Sequence, residues 1–262
     1  MEGTGEGTAE GGGKYLYCVA DSGESTGLGK IGLEEAEVYT IPYRDICAVG
    51  HTCGVKPYQA CDGEIVKTWA IRHQKVVDAA WERWNAVLPS VFNTVIGANT
   101  GRSAGENVLR WLEEEYQSLK HKMDGVRGKA EYGVQVFWDP KVVARDIAER
   151  SAEIKKLEVE IRSQPKGLAY LYRQRLENLL HKEMETSADQ CFRECYGRIR
   201  KHVDDIQVEK TKRAEPQMIM NISCLVLKEG WAELAGELEN IEAREGFSVR
   251  FTGPWPPYSF CR

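Results

Sequence analysis

The chain has 262 residues and a net charge of −5, with 42% hydrophobic and 29% charged residues. That is apolar material for one large core or two small ones, and no apolar run approaches the length that spans a membrane. The acidic balance speaks against a dedicated nucleic-acid binder, which carries a basic excess.

Residues 1–13, rich in Gly, Glu and Thr, lack the basic and apolar regions of a secretion signal and read as a disordered leader. The protein is therefore expected in the cytoplasm, with its 8 cysteines reduced. Residues 14–20 read as a strand, because aromatics and valine dominate. Residues 21–32 form a glycine-rich loop. Two more strands follow over 37–42 and 46–51, joined by a turn at 43–45, and 52–63 is irregular. Ile65, Trp69, His73, Val76, Val77, Ala80 and Trp84 then recur at helical spacing, in a helix that ends before Pro89. Ser103 with Glu106 fits a capping box. It opens a second helix with the stripe Val108, Leu109, Leu112, Tyr116, Leu119 and Met123, stopped by Gly125 and Gly128. Tyr132, Val134, Val136 and Trp138 alternate as in a half-buried strand.

Pro140 opens a long helical region with Val143, Ile147, Ile154, Leu157 and Ile161 on one face. Residues 164–167 break it. A second long helix places Leu176, Leu179, Leu180, Ala188, Cys191, Cys195, Ile199 and Val203 on or near its inner side. The short break predicts an antiparallel helical pair over 140–212. Gaps at Arg150 and Arg175 speak against a free-standing coiled coil. Lys201, Lys210, Lys212 and Arg213 are offset by Asp204, Asp205 and Glu209, which makes a solvated face of mixed sign. Residues 216–227 read as a buried strand. Trp231, Leu234, Leu238 and Ile241 form a helix ended by Gly246, and Phe247, Val249 and Phe251 a last strand. The expected fold is α+β in two domains, 14–128 and 129–251, followed by a tail over 252–262.

Few residues suggest chemistry. His73 lies on the apolar face of its helix. Without an identifiable acid or nucleophile partner it reads as a buried histidine bonded to backbone. Cys47, His51, Cys53 and Cys61 lack the close pairing of a zinc site, so no metal is expected. Cys191 and Cys195 sit one helical turn apart in an apolar stripe and read as core thiols. Residues 97–103 resemble a phosphate loop only faintly; one residue is missing between the glycines and Arg102 stands where lysine belongs. A loop ending in an N-cap serine explains them better. No cofactor is expected. An enzyme with a site between the domains stays open as an alternative, with His73, Glu131 and Tyr170 as candidates.

The tail is the most distinctive stretch. Pro254, Trp255, Pro256, Pro257, Tyr258 and Phe260 follow one another almost without interruption. Proline fixes φ and pushes its predecessor to extended geometry, so the tail is stiff and cannot be a central strand. Its three aromatics carry apolar area that needs a partner surface. Two readings stand: a latch on the chain's own domains, or a segment that docks on another protein. Continuity with the preceding strand favours the latch, with Trp255 and Tyr258 shaping a groove.

The string 253–260 resembles the closing signature of the gas vesicle protein F/L family. Segments 15–19, 73–77, 87–94, 131–136 and 167–171 agree in order, so the resemblance spans nearly the whole chain. One departure concerns the family's Arg-Phe-Gly-Thr, where Val91 and Asn93 stand in for Arg and Gly. A role needing the arginine charge is not carried over. The resemblance implies two domains, the second ferredoxin-like with helices inserted. It further implies a non-enzymatic minor component of gas vesicles, one that binds the hydrophobic shell protein and other accessory proteins and no lipid membrane.

Overall fold

The structure, a computed structural model, describes residues 12–209 and 218–261. The expected leader lies almost wholly outside the described residues, as do Lys210, Lys212 and Arg213. Strand β1 (Gly13–Ala20) is the centre of a six-stranded sheet. Tyr15, Leu16, Tyr17, Cys18, Val19 and Ala20 are all between 0% and 2% exposed. On one side β1 pairs antiparallel with β4 (Ile46–Cys53); the order runs outward through β3 (Val38–Tyr43) to β2 (Gly27–Gly29). Gly50 permits the close approach of β4 to β1, since a Cβ there would lie 2.3 Å from the Tyr15 carbonyl oxygen. The register shifts between Leu16 and Cys18, so Tyr17 has no partner on β4 and sits at a β-bulge.

On its other side β1 is shared by two short strands, β5 (Val87–Pro89) and β6 (Val95–Gly97). The sequence reading missed both, as it missed β2 inside the glycine-rich loop; strands of three residues carry no periodicity to read. Between β5 and β6 the chain leaves the sheet. Ser90 N–H donates to the Tyr17 carbonyl (2.8 Å), Leu16 N–H to the Thr94 carbonyl (2.9 Å), and Thr94 N–H closes a turn on the Val91 carbonyl (3.1 Å). Asn93 holds φ at 69° in this turn. Asparagine is the residue besides glycine that tolerates such a φ, so it serves at the position where the family signature has glycine.

Helix α1 (Gly63–Trp84) starts at Asp62, which accepts from Glu64 N–H, and ends at Asn85 in the left-handed region. It lays Trp69, His73, Val76, Val77, Ala80 and Trp81 against the interior, while Ile65 is exposed. The second predicted helix is two, α2 (Ala104–Glu114) and α3 (Tyr116–Val126), divided at Glu115. Both halves of the predicted capping box are present: Glu106 N–H donates to Ser103 Oγ (3.3 Å) and Ser103 N–H to Glu106 Oε2 (2.7 Å). Lys120 fastens α3 through Asp21 (2.9 Å) and Asp45 (2.8 Å), and both carboxylates raise its pKa above the usual lysine range.

A second sheet has the order β10-β7-β9-β8. Its strands are β7 (Lys129–Trp138), β8 (Asp205–Val208), β9 (Met218–Leu227) and β10 (Phe247–Trp255). Between β7 and β8 lie α4 (Pro140–Arg150), α5 (Ala152–Ser163) and α6 (Lys166–Ile199); α7 (Trp231–Glu242) joins β9 to β10. The first arm of the predicted helical pair is thus two helices, because Ser151 accepts from Ile154 N–H and starts α5 anew. Both α4 and α5 pack on α6. Strand β8, whose single buried residue is Ile206, was also unforeseen. Strand β10 runs past the predicted Phe251 to Trp255. It lies at the sheet edge, the place where Pro254 is tolerated.

The chain divides into two compact units. One runs to Glu131 and resumes at Pro254; the other is Tyr132–Gly253. The division falls within β7 rather than before it, and the tail counts with the first unit.

Candidate binding groove

Tyr15 and Tyr17 project from β1 into a buried cluster with His51, Tyr58 and His73. Two hydrogen-bond relays run through it. In the first, Leu33 N–H donates to Tyr17 Oη (2.9 Å), which leaves the hydroxyl proton for His51 Nδ1 (2.9 Å). His51 therefore carries its proton on Nε2 and donates to Tyr58 Oη (3.0 Å). In the second, Asn93 N–H donates to Tyr15 Oη (3.2 Å), and Tyr15 donates to His73 Nδ1 (2.8 Å). His73 is again the Nε2–H tautomer, with the Ser90 backbone as a hydrogen-bond partner. The expected backbone partner of His73 is Ser90, and the Tyr15 hydroxyl is a second partner. Burial pushes both imidazoles down to about 4; Lys14 adds to the shift at His51, and a hydrogen bond to the Ser90 backbone opposes it at His73. Both rings are neutral at pH 7. Burial likewise raises Tyr15 and Tyr58 to about 12.

Asn93 holds this cluster from a third side. Its Oδ1 accepts from Tyr58 N–H (2.9 Å) and its Nδ2 donates to the Tyr58 carbonyl (2.9 Å). One residue thus fixes the turn, the relay and the irregular segment before α1.

The tail meets the same region. Pro256 and Pro257 are buried, Tyr258 and Phe260 half-buried, and residues Tyr258–Phe260 form a 3-10 turn. Ser259 clamps the buried carboxylate of Glu131: its N–H reaches Oε2 (2.8 Å) and its Oγ–H reaches Oε1 (2.7 Å). The Cys261 thiol donates to the Pro257 carbonyl (2.8 Å); burial, with Glu131 nearby, pushes its pKa up to about 12. Pro254 is exposed and Trp255 is 46% exposed. Trp255 therefore does not shape the groove as expected, because it is the last residue of an edge strand and its ring stays at the surface. Tyr258 does: with Cys261 it lines a cavity of ≈440 Å³ whose other walls include Ala70 and His73 of α1 and Val91 and Phe92 of the turn. The Tyr258 hydroxyl is buried and has no hydrogen-bond partner in the structure.

A larger cavity of ≈780 Å³ lies in the second unit, lined by Trp138, Asp146, Arg150, Glu194 and Arg244 among others. Two of its charges satisfy one another: Arg244 binds Glu194 (3.2 Å) and lies over the Phe247 ring. The smaller cavity is the better candidate, since it gathers an apolar wall and the buried Tyr258 hydroxyl in one place.

Of the residues named for an enzyme, Tyr170 stands 59% exposed on α6 and bonds Gln174, and Glu131 is held by Ser259. Among the described residues, no three His, Cys, Asp or Glu side chains converge as metal ligands; Cys47 and Cys53 are buried and Cys61 is exposed. Residues 97–103 are a loop closed by the Asn99–Arg102 bridge and the Ser103 cap, and they do follow a strand, β6. No helix among the described residues is long and apolar enough to cross a membrane.

The profile of the family "Gas vesicle synthesis protein GvpL/GvpF" matches residues 13–262. Gas vesicle protein L1 of Halobacterium salinarum is 31% identical over 263 residues, covering 95% of this chain and 90% of that protein. Gas vesicle protein L of Haloferax mediterranei is 28% identical over 239 residues, 88% of this chain and 72% of that one. The crystal structure of GvpF from Anabaena sp. PCC7120 superposes with a TM-score of 0.73 at 20% identity, over 96% of this chain and 98% of that one. That of GvpF from Microcystis aeruginosa gives 0.68 at 17%, over 96% and 99%. At such identities the two structures speak to the fold.

Proposed function

Because the chain belongs to the GvpL/GvpF family of gas vesicle synthesis proteins, we propose that it is a cytoplasmic assembly protein that binds the hydrophobic vesicle shell subunit and turns over no substrate. We read its second unit as ferredoxin-like, since its elements run β-α-β-β-α-β with the helical arms inserted after the first strand. The tail acts as a latch: Pro256 to Cys261 close one wall of the first unit's groove instead of trailing from it. The observation that carries this reading is that groove, where apolar Ala70, Val91 and Phe92 face the docked tail.

Physically the role is coherent. A shell subunit with an apolar face aggregates unless the face is covered before it joins the wall. A protein with an apolar groove holds it reversibly, largely without charge, so added salt weakens the complex little. The test is a pull-down of the shell subunit with this protein at low and high salt, together with a deletion strain scored for vesicles. Capture at both salt concentrations and loss of vesicles on deletion is the expected result. No capture, with normal vesicles in the deletion strain, overturns the assignment.

A further inference from the structure

The cavity of ≈780 Å³ in the second unit has walls from α4 and α6, with Trp138 at the end of β7 and Phe247 at the start of β10. Two features of it are unbalanced. Trp138 is 5% exposed, and its indole N–H has no hydrogen-bond partner in the structure. Buried donors are as a rule paired, and no protein atom accepts from this one, so its acceptor enters through the cavity that the ring lines. The charges are uneven as well. The carboxylates of Asp146, Glu183, Glu194 and Glu245 line the cavity against the guanidinium groups of Arg150 and Arg244. Arg244 pairs with Glu194 (3.2 Å), and Glu245 with Arg145 (2.8 Å). Asp146 has Arg145 and Arg150 at 3.8 Å and 3.9 Å, and Glu183 makes no hydrogen bond or ion pair among the described residues. Beside these acids stand apolar Val143 and Ile147, one turn apart on α4, a helix without a buried residue.

We propose that this cavity is a second binding site, for a basic residue in a segment of a partner protein. The side-chain cation lies between Glu183 and Asp146, and its alkyl stem runs along Val143 and Ile147. A backbone carbonyl of the same segment accepts from Trp138 Nε1–H. Arginine suits the site better than lysine, because a guanidinium is the more weakly hydrated group. Three other occupants fit less well. An anion meets an excess of carboxylates. A metal ion lacks its cage, since no three acidic, histidine or cysteine side chains converge as ligands among the described residues. A free polyamine carries no acceptor for Trp138. The site goes beyond the shell-binding reading and does not rest on it. The groove of the first unit holds an apolar face with little dependence on salt, whereas this one holds charge and weakens as salt rises.

The test titrates the tripeptide N-acetyl-Leu-Arg-Leu amide into the full chain carrying 15N-labelled tryptophan, and follows the seven indole N–H signals. The Trp138 signal is expected to move the most, downfield as its N–H gains an acceptor. Citrulline in place of the arginine keeps the shape and removes the charge; it is expected to weaken binding at least about 3-fold. Glu183→Gln is expected to weaken binding of the arginine peptide by about 3-fold as well. Glu183 has no partner to lose, so this variant keeps the fold. Raised salt is expected to weaken the arginine peptide and to leave the citrulline peptide as it was. Equal binding of the two peptides, equal affinity of Glu183→Gln, or an unmoved Trp138 signal overturns the site. Spermidine binding as tightly as the arginine peptide overturns the assignment to a protein segment and leaves an acidic patch that attracts any cation.

Discussion

Strand β1 and helix α6 are the two longest-range organisers of the chain, and they are stabilised in opposite ways. In β1 every residue from Tyr15 to Ala20 is buried, and two of them carry hydroxyls whose hydrogen bonds are made inside the core. Helix α6 spans 34 residues, yet Ala169, Cys195 and Ile199 are its buried apolar residues. A sheet strand at this depth offers both faces and both edges to neighbours. A long helix packed along most of its length by α4 and α5, with α7 and β9 touching it as well, keeps most of its girth in water. The stability of the protein should therefore be concentrated around β1, and substitutions should scale with that distribution rather than with residue size.

The largest effect is expected at Tyr17. Its side chain is fully buried, accepts from Leu33 N–H and supports His51. Tyr17→Ala should cost about 3–5 kcal/mol, as large aromatic truncations do. Leu180→Ala, half-buried on α6, should cost well under half of that. Denaturant midpoints at equal m-value measure both. A smaller loss at Tyr17 than at Leu180 would break the comparison outright.

Acid should act on the same core. His51 and His73 are held near a pKa of about 4, below the ordinary 6.5. In the unfolded chain they take up protons first, so their contribution is complete above pH 6.5 and is lost as pH falls towards 4. By pH 5 the loss reaches at most about 2 kcal/mol per histidine. The second unit has no buried histidine among its described residues, so it lacks this sensitivity. A melting temperature unchanged between pH 7 and pH 5 would show that neither imidazole is kept neutral by burial.

Next in size is the tail. Ending the chain after Trp255 removes buried Pro256 and Pro257 and strips Glu131 of both hydrogen bonds from Ser259. A loss of about 3 kcal/mol is expected, and Ser259→Ala should account for about 1 of it, since it removes the hydroxyl bond to Oε1 and leaves the backbone N–H on Oε2. If truncation leaves the melting temperature where it was, the tail is no latch. If Ser259→Ala is silent while truncation is costly, packing of the prolines does the holding.

What could be read from the chain differed between these regions for physical reasons. Alternation and helical period gave β1, β3, β4, α1 and β9 nearly to their ends, because each has an apolar face that must be buried. Strands β2, β5, β6 and β8 are three or four residues long and owe their pairing to neighbours, which leaves no local signature. The breaks at Glu115 and Ser151 were hidden because the apolar stripe continues across them. Of the groove, only Tyr258 and His73 were visible beforehand, the first from tail composition and the second from its place on an apolar face. Asn93 was noticed as a departure from a motif, but that it joins a turn, a relay and the segment before α1 depends on contacts 35 and 78 positions away in sequence. Trp255 was misjudged because an aromatic between prolines looks like an anchor, whereas an edge strand can leave its last side chain outside.

The smallest effect is expected on the outer side of the helical arms. Leu171 is 58% exposed, with Leu168 at 49% on the same helix and Val159 at 65% on α5. An exposed leucine in a helix contributes propensity more than burial, and glutamine has nearly the same propensity. Leu171→Gln should change stability by no more than about 0.5 kcal/mol. The measurement has force because of its contrast with Tyr17. A loss above about 1 kcal/mol would mean that this face is covered in solution, by a second copy or by another part of the chain, and that α6 is organised by burial after all. Repeating the denaturation at tenfold lower protein concentration separates the two: a covering copy makes the cost concentration-dependent, while cover from within the chain leaves it unchanged.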